Sequence, residues 1–315
     1  MTKIYEILGI PFGFIISLFY ALTGNYILSI FCLLLIVRVC LLPSAIKQQK
    51  SVAMQQRLQP KLRRIKEKYG NDQQKIQMET QELYQREGYS AMGGGCLPML
   101  IQLPVMLGLY QVNLHPFSWI LKIPDSVVDQ LKTLGIALGT NTYEKSTYRA
   151  ELTALMNWDK LDLSSVSGLT QEHIDKIELF ISRFKFLGLN LAQTPDFKHF
   201  DVFWIIPIIS GVIALATSIY SLQRQKKTNP DMAKNPSMGC MMLTTPIMQI
   251  YFAFLFPISI GIYIIMSSAL SFVQMIVLNH IYEPKKVLAK AMIEETVYRR
   301  SKEEYTKKIN KFKQN

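Results

Sequence analysis

Arg38 stands alone as a charge inside an apolar run, YILSIFCLLLIVRVCLLPSAI. The nearest charges are Glu6 before it and Lys47 after it, the latter nine residues on, roughly 13 Å along a helix. That is a long reach for a side chain snorkelling to an interface. A guanidinium at membrane depth costs about 2.5–3.5 kcal/mol on insertion scales unless water or a polar group receives it. Its chemistry is therefore electrostatic: a fixed cation that draws in acidic or polar groups. The bland alternative is an arginine packed for structure alone.

Other polar side chains lie at a similar level. Arg38, Gln102 and Gln274 each fall about six residues from the same end of their apolar segments, roughly 9 Å. Thr217 and Ser218 lie nearby in a third segment, and Gln249 sits somewhat deeper in a fourth. The opposite halves, such as FWIIPIISGVIAL and ISIGIYIIM, are almost wholly apolar. A polar layer confined to one leaflet implies a hydrated dent open on that side and sealed on the other. Interhelical hydrogen bonding is the competing reading, above all for Gln249 and Thr217.

Bond-making chemistry finds no footing in these segments. They hold no Asp or Glu, no H-E-x-x-H and no G-x-S-x-G, and His280 stands alone at an interface. No P-loop is present either. The chain is therefore read as a non-enzyme with no cofactor. Cys32, Cys40, Cys96 and Cys240 lie in apolar segments or at their ends without a C-x-x-C, so disulfide and metal readings are weak. A transporter would be expected to carry paired repeats and an intramembrane carboxylate, which this pattern lacks. A small ion channel or transporter is the alternative class.

The elements that must position these groups follow from charge-free windows at Ile7–Val37, Gly88–Leu121, Val202–Gln223 and Asn235–Tyr282. With 49% hydrophobic residues, the chain reads as a polytopic, all-α membrane protein. The last window holds 48 residues, roughly 72 Å of helix, and must cross twice, with a turn at Phe256-Pro257-Ile258-Ser259. In the first window, Pro11, Gly13 and the Gly24-Asn25 break leave too little length for two crossings. Residues 1–24 are read as an interfacial amphipathic helix and 25–46 as the first span. A cytoplasmic helical hairpin then covers 47–95, the second span 96–114 and an extracytoplasmic segment 115–201. The third span is 202–222, a cytoplasmic loop 223–239, the fourth and fifth spans 240–280 and a basic tail 281–315. No cleaved secretory leader is expected, since Lys3 and Glu6 flank a short start with no A-x-A site.

Charge placement sets the orientation. Segments 47–95, 223–239 and 281–315 carry 10, 4 and 10 Lys+Arg, while 1–24 and 115–201 carry 1 and 9 against 12 Asp+Glu. The positive-inside rule then gives N-out, C-in over five spans. A crossing by residues 4–22 would move the N-terminus inside and leave the other spans unchanged.

Within 47–95, Met54, Leu58, Leu62, Ile65 and Tyr69 form one helical stripe. Gly70 stops that helix, and Asn71 or Asp72 caps the next. The hairpin suits anionic headgroups, or a lid over the polar dent. The tail is either a solvated anchor or an electrostatic footprint for ribosomal RNA. Short helices are expected near 126–138, 147–157 and 170–187, with no chemistry assigned to them.

Several motifs carry a resemblance. LLIVRVCLLPSAIKQQKS, LQPKLRRIKEKYGND, GGGCLPMLIQLPVMLGLY, FLGLNLAQTPDF and PSMGCMMLTTPIMQIYFAFLFPISIGIYIIMSSALSFVQ resemble the YidC/Oxa family of membrane protein insertases. The likeness is to short bacterial members without a large folded domain before the core. It implies multi-pass residence in a bacterial plasma membrane, with nascent membrane proteins and the lipid bilayer as partners. It also implies contact with the ribosome and targeting factors through the hairpin and tail, and with the Sec translocon. The family's groove arginine falls on Arg38. Its substrate-facing slide, on the second and fifth spans, falls on Leu103, Pro104 and Tyr263. Ile264 and Ser268 depart from the family's usual aromatic and asparagine.

Overall fold

The computed structural model describes residues 2–70, 72–87, 97–139, 145–186, 188–196, 200–228 and 236–314. Helix dominates, as the long apolar windows require, because a backbone without water must satisfy its own polar groups. Among the described residues, three helices are long and apolar enough to cross a membrane: Tyr26–Ser51, Val202–Lys226 and Ile258–Ile281. Shorter apolar stretches run over Gly9–Thr23 and Leu103–Leu114.

Helix α1 (Thr2–Thr23) ends at Gly24, whose φ of 61° is cheap only for glycine. The Asn25 side chain accepts from the backbone N–H groups of Ile27 and Leu28, starting α2 (Tyr26–Tyr69). The break expected at Gly24-Asn25 is therefore where the backbone turns. One face of α1 exposes Ile7, Ile10, Phe14, Leu18 and Leu22. Its other face brings Gly9 and Gly13 so close to Trp119 that a Cβ at Gly13 would stand 2.7 Å from the indole.

Two compact units partition the chain. The first comprises Met1–Cys40, Pro98–Leu222 and Pro236–Ser271. It contains most of α4 (Leu97–Leu114), the short helices α5 (Pro116–Trp119), α6 (Asp125–Leu138), α7 (Ala150–Met156) and α8 (Gln171–Arg183), and a two-residue antiparallel pair, β1 (Lys185–Phe186) with β2 (Leu189–Asn190). Helices α6, α7 and α8 lie close to the stretches expected near 126–138, 147–157 and 170–187. Helices α9 (Ile205–Thr228), α10 (Pro236–Leu255) and α11 (Ile258–Ile281) follow. A single apolar cluster runs through the unit, from Ile16 and Leu33 to Leu109, Phe117, Leu131, Phe180, Ile206 and Ile262.

The turn between α10 and α11 falls at the expected Phe256-Pro257. The Pro257 carbonyl accepts from Ile260 and Gly261, while the N–H groups of Ile258 and Ser259 donate to the carbonyls of Gln193 and Leu191. The orphan donors at the start of α11 are thus met by the loop after β2. Close helix approach is marked by Gly211, where a Cβ would stand 2.6 Å from Ile250, and Gly261, where it would stand 2.4 Å from Ile206.

The second unit comprises Leu41–Leu97, Gln223–Asn235 and Phe272–Asn315. Residues assigned by sequence to the first span and the first hairpin arm form one unbroken helix, α2, with Pro43 and Pro60 inside it. Leu58 and Leu62 of the expected stripe are buried. Gly70 takes a φ of 55°, and the Asp72 side chain accepts from the backbone of Lys75 to cap α3 (Gln73–Arg86). Tyr69 donates to Glu79, and Lys61 pairs with Glu87, joining α2 to α3. Within this unit, Arg224 donates to the carbonyl of Asn279 at 3.1 Å, Gln49 donates to the Asn279 side chain, and Lys50 lies over the Tyr282 ring. Helix α12 (Pro284–Gln314) carries the basic tail.

Candidate functional site

Arg38 projects from α2 toward α11. Its Nη2 donates to the Ser267 carbonyl at 2.9 Å, to Ser267 Oγ at 3.0 Å and to Ser271 Oγ. Two hydrogens therefore face three oxygens, all supplied by one turn of α11. The Ser271 hydroxyl donates its proton to the Ser267 carbonyl at 2.8 Å, which turns its lone pairs toward the guanidinium. Hydrogen bonds to a charged donor are roughly twice as strong as neutral ones, and a low-dielectric surrounding raises their worth. Cations buried in apolar surroundings need such partners, and here hydroxyls and a carbonyl are among them.

The same stretch of α11 engages Gln249. Its Nε2 donates to Ser210 Oγ and Ser268 Oγ, each at 3.0 Å, and to the Ser210 carbonyl at 3.3 Å. Gln249 thereby ties α10 to α9 and α11. Thr217 donates to the carbonyl of Ile213, one turn back in its own helix, at 2.8 Å. Of the polar layer expected from depth, Arg38 and Gln249 are brought to one serine-rich segment, residues 267–271. Gln274 lies half-buried on α11 in the other unit. Gln102 is on α4, and its side chain lies outside the described residues.

On the residues of the expected slide, Leu103 is 43% exposed and Pro104 is exposed, whereas Tyr263 is 1% exposed, within the apolar cluster. Sequence reasoning missed Ser267 and Ser271. Two serines four apart on a helix, level with a lone arginine, are the signal that could have found them.

A second polar centre lies in the segment between α4 and α9. Glu151, on α7, has no side-chain exposure. Its carboxylate accepts from the backbone of Phe117 at 3.0 Å and Ser118 at 3.2 Å, from Ser118 Oγ at 2.7 Å, and meets His115 Nδ1 at 3.1 Å. Lys132 Nζ of α6 lies 3.4 Å away. Burial pushes this carboxyl up, but the His115 and Ser118 hydrogen bonds and the Lys132 charge outweigh it and hold the group below 4.5. Serine and imidazole both point at the carboxylate, so the arrangement is a structural knot rather than an activated nucleophile.

These features define a helical membrane protein with several candidate spans, one of which carries Arg38, held by two serine hydroxyls and a carbonyl of α11. A family profile described as 60Kd inner membrane protein matches residues 18–286, and the chain belongs to that family, the YidC/Oxa group of the resemblance. The Fusobacterium nucleatum protein named "Membrane protein insertase YidC" is 38% identical over 112 residues, 36% of this chain and 54% of its own length. Proteins of that name from Anaeromyxobacter and Oleidesulfovibrio alaskensis are 40% and 44% identical, over 39% and 30% of this chain and 23% and 18% of their own lengths. The chain thus aligns with between about a fifth and about half of the length of these curated relatives.

Proposed function

We propose that this protein is a bacterial plasma-membrane insertase that moves hydrophobic segments of nascent proteins into the bilayer without enzymatic chemistry. The observation that carries the reading is Arg38, a guanidinium within a long apolar helix, whose partners include the Ser267 and Ser271 hydroxyls and the Ser267 carbonyl. Family membership and the names of the relatives support it. In this reading five spans run N-out to C-in, α1 lies at the interface, and residues 47–95 form a cytoplasmic hairpin. Arg38, Gln102, Thr217 and Gln249, with Gln274 added by its depth in the sequence alone, make a hydrophilic groove open to the cytoplasm.

The mechanism follows from solvation. An incoming apolar segment partitions toward lipid along the slide of Leu103, Pro104 and Tyr263. Its polar flank must cross a medium in which each unsatisfied backbone group costs several kcal/mol. A hydrated dent shortens that barrier, and Arg38 attracts acidic or polar flanks across it. The partners are nascent membrane proteins and lipid, the ribosome and targeting factors at the basic hairpin and tail, and the Sec translocon. Binding to ribosomes should weaken steeply with salt.

The test is complementation of an insertase-depleted bacterium, scored by protease protection of a small Sec-independent membrane protein with an acidic translocated flank. Arg38→Ala is expected to impair its insertion and Arg38→Lys largely to retain it. Full insertion of several such substrates by Arg38→Ala at normal protein level would refute the reading. Thiol labelling at position 38, with the four native cysteines replaced, should find it reachable from the cytoplasmic face only.

A further inference from the structure

We infer that Ser267 and Ser271 are positioning residues for Arg38, fixing where its charge is presented to an incoming flank. The inference rests on the proposed role of Arg38 and deepens it.

An arginine side chain has several rotatable bonds and, unheld, spreads its charge over several ångströms. Here Nη2 is gripped by two oxygens of Ser267 and one of Ser271, so one end of the guanidinium is tied to a single turn of α11. The Ser271 proton is committed to the Ser267 carbonyl, which fixes that hydroxyl as an acceptor toward the cation. None of the three oxygens carries a formal charge. A carboxylate in their place would offset the charge of Arg38; these three oxygens orient the guanidinium without neutralising it. The serines thus reconcile holding a cation still with keeping it attractive, and they decide which flank chemistry is served: acidic or strongly polar groups that meet a stationary charge.

The test uses the complementation system with two versions of one substrate, its translocated flank acidic or neutralised by Asp→Asn and Glu→Gln. Ser267→Val with Ser271→Val removes both hydroxyls, while Ser267→Thr with Ser271→Thr keeps them at equal volume. The valine pair is expected to lower insertion of the acidic-flank substrate about tenfold, the scale of lost hydrogen bonds to a charged group. The threonine pair should stay near wild type, and the neutral-flank substrate should change little. In an Arg38→Ala background the valine pair should add no further loss. If the valine pair does not accumulate, Ser267→Ala with Ser271→Ala replaces it in the same comparison. Equal loss with threonine and valine, equal loss for both substrates, or loss that multiplies with Arg38→Ala would overturn the inference. An effect of Arg38→Ala with none from the serine variants overturns the inference alone. No effect of Arg38→Ala removes the functional reading beneath it.

Discussion

Replacing Glu151 should loosen the segment between α4 and α9 more than any single surface change. The fully buried carboxylate receives two backbone N–H groups, a hydroxyl, an imidazole and an ammonium, from the chain after α4 and from α6. Glu151→Ala leaves the Phe117 and Ser118 amides and the Ser118 hydroxyl without their acceptor, at about 1–3 kcal/mol for each buried group. Relief of the carboxylate's own desolvation offsets part of that, so the net loss should be about 3–5 kcal/mol, as for one half of a buried ion pair. Glu151→Gln keeps one acceptor oxygen but turns an NH2 toward donors, and should cost about 1–3 kcal/mol. Hydrogen exchange on purified protein in nanodiscs reads the effect as lost protection over residues 116–119, 125–138 and 150–156. The sign with pH is fixed, because the folded-state pKa lies below the ordinary 4.5. The stabilisation is fully present above that value and fades as pH falls through the folded pKa. Acidification should therefore reproduce the Glu151→Gln exchange pattern in wild type. Glu172→Gln is the control, since that exposed carboxylate pairs only across its own helix with Lys176. If Glu151→Gln loosens the segment no more than Glu172→Gln, the knot is not holding it.

Gly13→Ala should force the Trp119 ring aside, costing about 1–3 kcal/mol and shifting indole emission in a variant that retains Trp119 as its sole tryptophan. Unchanged emission and melting would refute that packing. Gln249→Leu should cost about 0.6–1.7 kcal/mol in thermal unfolding, the range for hydrogen bonds between membrane helices, and should reduce insertion less than Arg38→Ala. Insertion falling as far as in Arg38→Ala would place Gln249 at the substrate instead. Asp72→Ala should cost about 1 kcal/mol by removing the α3 cap, seen as faster exchange at Gln73–Ile76. Unaltered exchange there would show the cap to be dispensable.

What could be read from the chain beforehand was what is written locally. Gly24, Gly70, Asp72 and Pro257 punctuate helices through their own backbone preferences, and the structure breaks or caps at each. Arg38 was conspicuous because no other charge lies within its apolar run. Its partners were not, because Ser267 and Ser271 lie 229 and 233 residues away in sequence, and serines four apart on a helix are ordinary. Glu151 is hidden for a related reason: a carboxylate in an acidic stretch looks solvated until the fold closes around it. The unbroken run of α2 from Tyr26 to Tyr69 was hidden by composition, since apolar residues give way to basic ones at Lys47 without any change in backbone.

The Ser267 carbonyl serves several masters. It lies in the path of the helical ladder while also taking a hydroxyl and a guanidinium. An acceptor so divided weakens the rung it belongs to, and back-bonding serines are known to let helices flex. Were an anion to draw Arg38 away, that oxygen would be left to the donors of its own helix. The cation and the stiffness of α11 are therefore tied to each other through one atom.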